Sequence, residues 1–421
     1  MKKKYLYYIG IIILIIIFFL KSVVKWEEII LILSPSAPNN EYYTDSNVNY
    51  KFNYKSFDEY RELVKGQVLK HRIFITDDHE KELNAILPYE LKPVKNLDTY
   101  NYNTNKYRRG ILLIHGLAGT PYDFKDIAKN LQSQGYFVRT IMLIGHGSKP
   151  GNLSEVDYRK WEVSVNIHTD LIKKEVDTMY LGGFSLGAVL AYLKAQECSD
   201  VTGLLLFSPA FETRSNFLSL VKYIEDIKPW LRVEKNLTLK TDYTQFFDFP
   251  TEAAVALSYY IDKASTAMQS KTFDKPTLFV LSEHDRILNT HNVRKFFEER
   301  FINKHNKLVW YGTSFPSSKN ILFIPAENKA SRRTNMSHKG ILFHHKNPYY
   351  GINGSQRVCR SNKGDSNSLE LCLKASEVWY AAPDTYYPER IHALTTFNYE
   401  FDLMMKQVPL VFGRNTSLPL H

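Results

Sequence analysis

Short apolar runs alternate with longer amphipathic stretches from about residue 106 onward. The apolar runs are rich in β-branched and aromatic side chains, as expected of strands that are buried on both faces. The amphipathic stretches between them are long enough for crossover helices. This alternation predicts a mostly parallel central sheet with flanking helices. The candidate strands lie at residues 111–114, 137–142, 178–182, 203–207, 277–281 and 321–324.

The alternation breaks down between residues 208 and 274, where two helix-like segments lie at 217–233 and 251–265. A helical insertion at about 212–274 would form a cap over the carboxyl ends of the strands, where open α/β sheets bind ligands. Two ordinary crossover helices are the alternative. The aromatic residues of this region are expected to pack in the core rather than to contact substrate; they are Trp230, Phe246, Phe247, Tyr259 and Tyr260.

An uninterrupted apolar run at residues 5–20 follows three lysines at the N-terminus. At about 1.5 Å per residue it can just cross a hydrocarbon core of about 30 Å if the side chain of Lys21 snorkels. Because no small-x-small cleavage site follows the run, a retained anchor is favoured over a signal peptide. The leading lysines favour a cytoplasmic N-terminus and an extracytoplasmic globular part.

The pattern therefore predicts an anchor with its flank at 1–33 and a polar tether with an N-terminal extension at 34–105. A globular domain follows at 106–421, with the cap insertion inside it and a C-terminal extension at 346–421. The extension either pads the core or frames a substrate entrance, and the sequence favours neither alternative. No pattern along the chain indicates an oligomeric state.

The chain carries a formal net charge of +10, yet its lysines are scattered and form no condensed basic run. This pattern argues against nucleic acid as a partner and indicates a solvated basic surface, with attraction to an anionic membrane surface as the alternative. The three cysteines, Cys198, Cys359 and Cys372, are too few for a disulfide scaffold and too widely spaced for a thiol metal site. Cys359 and Cys372 flank a polar loop and could form one bridge in an oxidising compartment; otherwise they are buried thiols.

The motif GFSLG at residues 183–187 follows a short candidate strand and precedes a helix rich in Ala and Leu. A sharp strand-to-helix turn of this kind exposes the serine oxygen and directs the helix N-terminus at developing negative charge. A bare five-residue match arises easily by chance, but the strand before it and the helix after it favour a functional motif. Ser185 is therefore the predicted nucleophile.

A second motif, HGLAGTP at residues 115–121, follows the first candidate strand. Acyl transfer needs hydrogen-bond donors directed at a tetrahedral oxyanion, and a glycine-containing loop can turn a backbone amide inward. The predicted donors are the backbone amides of Leu117 and Leu186. His115 precedes the serine in the chain and is interpreted as a side chain that fixes the loop.

These two motifs, with GHGSKPGNL at residues 145–153 and Trp161, resemble the α/β-hydrolase superfamily, and most closely bacterial carboxylesterases and monoglyceride lipases. The similarity covers about residues 106–345. It implies an α/β-hydrolase fold, to which the pattern along the chain adds the helical cap and the N-terminal transmembrane helix. It also implies hydrolysis of carboxylic esters without a metal or organic cofactor. In this family a similar Gly-His-Gly loop shapes the site entrance, so the resemblance gives His146 a structural role.

The resemblance also implies the chain order serine, acid, histidine. Asp285 follows the strand at 277–281 and matches the position of the acid, with Glu283 and Asp274 as alternatives. His338 lies in a loop after the strand at 321–324 and matches the base. His344 and His345 are rivals, because the insertion between the acid and His338 is longer than in minimal members of the family.

The implied substrate is a small-molecule or lipid ester. A lysophospholipase or monoacylglycerol lipase would share every motif, and the anchor makes membrane-derived lipids attractive substrates. An inactive hydrolase fold that serves as an interaction module in the envelope is the alternative from another class. The intact set Ser185, Asp285 and His338 argues against it.

Overall fold

The computed structural model describes residues 42–43, 52–154, 156–224, 228–232, 241–316, 318–359, 368–383, 385, 387 and 389–413. The predicted membrane span at 5–20 lies outside these residues. Among the helices of the described ranges, none combines the length and the apolar character needed to cross a bilayer.

A nine-stranded sheet forms the centre of the molecule, in the order β1-β4-β3-β5-β6-β9-β10-β11 with β2 beside β3. The run from β4 to β11 is parallel throughout, whereas β1 and β2 pair antiparallel at one side. Two small sheets, β7-β8 and β12-β13, lie apart from it. The strands are β1 (Glu90–Leu91), β2 (Tyr100–Asn101), β3 (Lys106–Ile114), β4 (Phe137–Ile141), β5 (Val176–Phe184), β6 (Val201–Phe207), β7 (Trp230–Arg232), β8 (Phe249–Pro250), β9 (Thr277–Ser282), β10 (Lys307–Gly312), β11 (Ile321–Pro325), β12 (Trp379–Ala381) and β13 (His392–Leu394).

The predicted parallel sheet is confirmed, and all six candidate strands are present in it. Strand β10 was not predicted, although it pairs with both β9 and β11 and its side chains from Leu308 to Tyr311 are buried. The pairing of β2 with β3 was also missed. Two-residue strands carry too few side chains to form a recognisable pattern.

Helices cover the sheet, and the helix that follows the serine motif, α5, packs directly on β5 and β6. Helix α4 packs beside it against β3 and β5. The helices are α1 (Phe57–His71), α2 (His79–Ile86), α3 (Lys125–Ser133), α4 (Arg159–Lys173), α5 (Leu186–Glu197), α6 (Thr251–Ser270), α7 (Thr290–Arg300), α8 (Ser368–Lys374), α9 (Phe401–Met405) and α10 (Val408–Phe412).

The region predicted as a helical cap has mixed structure. Its first segment contains a 3₁₀ helix at Asn216–Tyr223 and strand β7, which pairs with β8. Its second segment is α6, which packs against α5 as a crossover helix between β6 and β9. Tyr260 and Trp230 are buried as expected, whereas Tyr259 is exposed because it lies on the solvent-facing side of α6.

Both extensions pack against the same core as the sheet. Helix α1 buries one apolar face there, and α10 packs beside β9 with Val408 and Phe412 buried in the same core. Cys359 and Cys372 form a disulfide, with their Cα atoms 5.8 Å apart, in a satellite cluster that includes Tyr380 and Phe397. The C-terminal extension thus pads the core and also builds a small subdomain of its own.

Candidate active site

Ser185 occupies a strained turn between β5 and α5. Its φ of 53° and ψ of −116° lie where side-chain-bearing residues are rarely found. Gly187, in the first turn of α5, approaches the carbonyl oxygen of Ile114 so closely that a Cβ atom there would overlap it. The backbone amide of Ser185 donates to Phe207 O of the neighbouring strand at 3.0 Å. The flanking strands therefore hold the turn in place.

Asp285 lies in the turn after β9, with its carboxylate fully buried. Oδ1 accepts hydrogen bonds from the amides of Ile287 at 2.8 Å and Leu288 at 3.1 Å. Oδ2 lies 2.5 Å from Nδ1 of His338. One oxygen thus anchors the carboxylate and leaves the other to orient the imidazole.

His338 follows β11 in a loop that returns to the serine turn. Because Nδ1 is hydrogen-bonded to the carboxylate of Asp285, Nε2 is the ring nitrogen left for proton transfer. The imidazole centroid lies 4.9 Å from the ring centroid of Phe184, the residue before Ser185. Ser208, at the end of β6, donates its hydroxyl to His338 O at 3.1 Å. The structure therefore brings Ser185, Asp285 and His338 to one edge of the sheet.

The rival residues have other partners. The carboxylate of Glu283 accepts hydrogen bonds from Thr313 and Ser314. The rings of His344 and His345 stack on each other at 4.2 Å, and His344 Nε2 lies 3.5 Å from Asp402 of α9. Asp274 is exposed. Of the predicted acids and bases, only Asp285 and His338 form a pair in the described residues.

The glycine-containing loop after β3 lies beside the serine turn, because β3 and β5 are adjacent parallel strands with Ile114 opposite Gly183. The loop closes as a turn in which Gly119 N donates to Gly116 O at 3.1 Å. Leu117 is the second residue of that turn. Leu186 is the first residue of α5, so its amide has no acceptor within the helix. The loop that carries Leu117 therefore lies beside the turn that carries Ser185 and Leu186.

His115 and His146 are buried behind this loop, with ring centroids 4.8 Å apart. Leu143 N donates to Nε2 of His115 at 3.0 Å, and Nδ1 of His115 lies 2.8 Å from Gly116 O. His115 thus links the loops after β3 and β4. Burial lowers the pKa of His146 to about 4, and burial together with His146 holds the pKa of His115 well below its ordinary value.

We expect the neutral imidazole of His146 to make the fold sensitive to acid. Below pH 6.5 the imidazole of His146 is protonated in the unfolded chain, whereas in the folded protein it stays neutral down to about pH 4. The free energy of unfolding therefore falls as the pH drops from 6.5 towards 4. The loss attributable to His146 between pH 7 and pH 5 should be about 2 kcal/mol. Urea unfolding at both pH values, for wild type and His146→Asn, measures it. An equal acid loss in the two proteins would show that His146 is not responsible.

Sequence reasoning missed an ion pair that spans this edge of the sheet. Lys339, next to His338, places Nζ 2.7 Å from Oδ1 of fully buried Asp123 and donates to Gln245 Oε1 at 3.0 Å. Burial raises the pKa of Asp123, and Lys339 opposes that shift. Phe246 N also donates to Ala118 O at 2.8 Å. Gln245 and Phe246 therefore join the loops that carry His338 and Leu117.

The described residues contain no cluster of three or more His, Cys, Asp or Glu side chains that could hold a metal ion. A strained serine, a histidine and a buried carboxylate beside backbone donors form an arrangement suited to acyl transfer.

A protein-family model, Hydrolase_4, described as serine aminopeptidase S33, matches residues 105–314. The match runs from β3 through the serine turn to Asp285 and ends before His338. This chain belongs to the α/β-hydrolase superfamily. The resemblance recognised in the sequence is thereby confirmed.

Two curated relatives of this hydrolase come from Bacillus. A thermostable monoacylglycerol lipase of Bacillus sp. (strain H-257) is 23% identical over 195 residues, which cover 45% of this chain and 75% of the relative. A carboxylesterase of Bacillus subtilis (strain 168) is 22% identical over 210 residues, 49% of this chain and 83% of the relative. A solved monoacylglycerol lipase of Paleococcus ferrophilus aligns with 54% of this chain and 88% of its own, at 16% identity and a TM-score of 0.43.

Proposed function

We propose that this hydrolase cleaves carboxylic esters through an acyl-enzyme intermediate on Ser185. The observation that carries the proposal is the hydrogen bond between Asp285 and His338, which lies at the same edge of the sheet as the strained turn at Ser185. A buried carboxylate that fixes one imidazole nitrogen leaves the other to take a proton from a nearby hydroxyl.

In the proposed reaction, His338 Nε2 takes the proton of Ser185 as Oγ attacks the acyl carbonyl carbon. Asp285 stabilises the imidazolium that forms. The alcohol leaves with a proton returned by His338. Water then attacks the acyl-enzyme with the same histidine as base, which releases the acid and restores the serine.

The tetrahedral intermediates carry negative charge on the former carbonyl oxygen. We assign the amides of Leu117 and Leu186 as its donors, supported by the adjacency of strands β3 and β5 and by the position of Leu186 as first residue of α5. The N-terminus of α5 adds a favourable dipole at the same point. Loss of one such donor typically reduces turnover by about 10² to 10³.

Lipid esters of a single acyl chain are the substrates we favour within this class, supported by the monoacylglycerol lipase among the relatives. The protein should hydrolyse p-nitrophenyl esters of short to medium chain length, as well as monoacylglycerols. A panel of these esters, lysophosphatidylcholine and aminoacyl p-nitroanilides measures the preference. Cleavage of the anilides without cleavage of any ester would contradict the proposal and indicate a peptidase.

We further propose that residues 5–20 anchor the protein and that the hydrolase domain faces away from the cytoplasm. The apolar run and the leading lysines support the anchor and its orientation. The disulfide between Cys359 and Cys372 adds support, because such bonds persist in oxidising compartments.

The full-length protein should accordingly stay in carbonate-washed membranes, and protease added to intact spheroplasts should digest its hydrolase domain. A chain that begins at Ser34 should be released from membranes and remain active, since it keeps Tyr42 and Tyr43, whose hydroxyls donate to Asp248. Protection from protease would contradict the orientation. A mature N-terminus near Lys25 would replace the anchor with a cleaved signal peptide.

A further inference from the structure

The loop that carries His338, residues 334–340 and called the base loop below, lies on the C-terminal extension. Fully buried Thr395, just after β13, makes two hydrogen bonds with it, one through its hydroxyl and one through its backbone carbonyl. The hydroxyl of Thr395 donates to Asn335 O at 2.7 Å, and the carbonyl oxygen of Thr395 accepts from the hydroxyl of Ser337 at 2.5 Å. One residue of the extension therefore binds the base loop at two points just before His338.

The same residue contacts the base loop just after His338. The backbone at Gly340 approaches so closely that a Cβ atom there would lie 2.7 Å from Thr395 O. Gly340 N in turn donates to the hydroxyl of Ser337 at 3.1 Å. Thr395 therefore contacts residues of the base loop that come before and after His338 in the chain.

Strand β12 supports this arrangement from the side. Tyr380 O accepts from Thr334 N at 2.7 Å, and Ala382 N donates to Oδ1 of Asn335 at 2.6 Å. Thr395 N donates to Ala381 O at 2.9 Å, and this hydrogen bond connects Thr395 to strand β12. The base loop is consequently held along its length by residues that lie far beyond the end of the family match.

The rest of the fold holds the base loop at other points, which include the ion pair of Lys339 with Asp123 and the hydrogen bond between His338 and Asp285. Ser282 donates to Met336 O at 2.7 Å, and Ser208 donates to His338 O. These two hydrogen bonds connect the loop to the ends of strands β9 and β6. The contacts with Asn335, Ser337 and Gly340 come from the extension.

We propose that Thr395 is a positioning residue, which holds the base loop so that the imidazole of His338 stays aligned between Asp285 and Ser185. The C-terminal extension is then part of the catalytic apparatus rather than core padding alone. This inference rests on the proposed function, in which His338 moves the proton. Its physical basis is that a displacement of a catalytic group by about 1 Å can cost about 10²-fold in rate.

The test replaces the hydroxyl of Thr395 with a methyl group, in the full-length protein. Thr395→Val keeps the shape of the side chain and leaves buried Asn335 O without this donor. Thr396→Val is the matched control, because the Thr396 hydroxyl donates to Tyr350 O, within the extension itself, at 2.7 Å. Thr395→Ser, which keeps the hydroxyl, is the conservative variant.

In Thr395→Val we expect kcat to fall about 10-fold or more while KM changes by less than about 2-fold, because the loss affects alignment and not substrate binding. The rate of reaction with a fluorophosphonate should fall in parallel. Thr396→Val and Thr395→Ser should both stay within about 2-fold of the wild type. If Thr395→Val does not fold, Ser337→Ala, which removes the hydrogen bond from the Ser337 hydroxyl to Thr395 O, should show the same loss in kcat alone.

Equal kcat values for Thr395→Val and Thr396→Val, or a loss expressed in KM, would overturn the positioning role. Wild type and Ser185→Ala, measured alongside, separate this failure from failure of the proposed function. An inactive wild type would overturn both inferences. If the wild type is active, Ser185→Ala is inactive and the Thr395 variants have the kcat of the wild type, only the role of Thr395 would be overturned.

Discussion

Replacing Ser185 with alanine is expected to abolish ester hydrolysis and to leave the fold intact. Alanine keeps the Cβ atom that the turn already accommodates at a φ of 53°, so the replacement adds no steric strain. It removes only Oγ, the atom that would form the acyl-enzyme. Turnover of p-nitrophenyl butyrate should fall by a factor on the order of 10⁴ to 10⁶.

The thermal midpoint and the circular dichroism of Ser185→Ala should match those of the wild type. Ser133→Ala, at an exposed position at the end of α3, serves as the control and should keep full activity. Substantial turnover by Ser185→Ala would remove Ser185 from the proposed mechanism.

Replacing His338 with alanine should cause a loss of similar size, because serine and histidine in such sites act as a unit. His344→Ala and His345→Ala should retain turnover within about 3-fold of the wild type, since neither ring contacts Asp285. Steady-state kinetics of the three variants decide between the candidates. A large loss at His344 or His345 with His338→Ala almost intact would move the base.

The sheet was predictable because each parallel strand is buried on both faces and therefore appears as a compact apolar run. Strand β10 is also a buried apolar run, yet it was missed. A run of this kind is recognised only when the elements on either side of it are assigned correctly. The cap was less predictable. An apolar segment such as 217–233 does not reveal whether it forms an α-helix, a 3₁₀ helix or a strand, and the structure has the last two.

The serine turn and Asp285 could be located from sequence because each follows a strand, and a strand end fixes where the next residues lie. The partners of the base loop could not. Asp123 and Lys339 are 216 residues apart, and Thr395 lies 60 residues beyond Asn335 in the chain. Pairs so distant in sequence leave no local pattern, and only the packing of the folded chain brings them together.

A single labelling experiment tests the central claim most directly. The full-length protein is treated with a fluorophosphonate probe, which reacts with activated serine hydroxyls, and the modified peptide is identified by mass spectrometry. We predict one label per chain, on Ser185, which is lost in Ser185→Ala and strongly slowed in His338→Ala. A protein that remains unlabelled, or a label on another residue that persists in Ser185→Ala, would contradict the account.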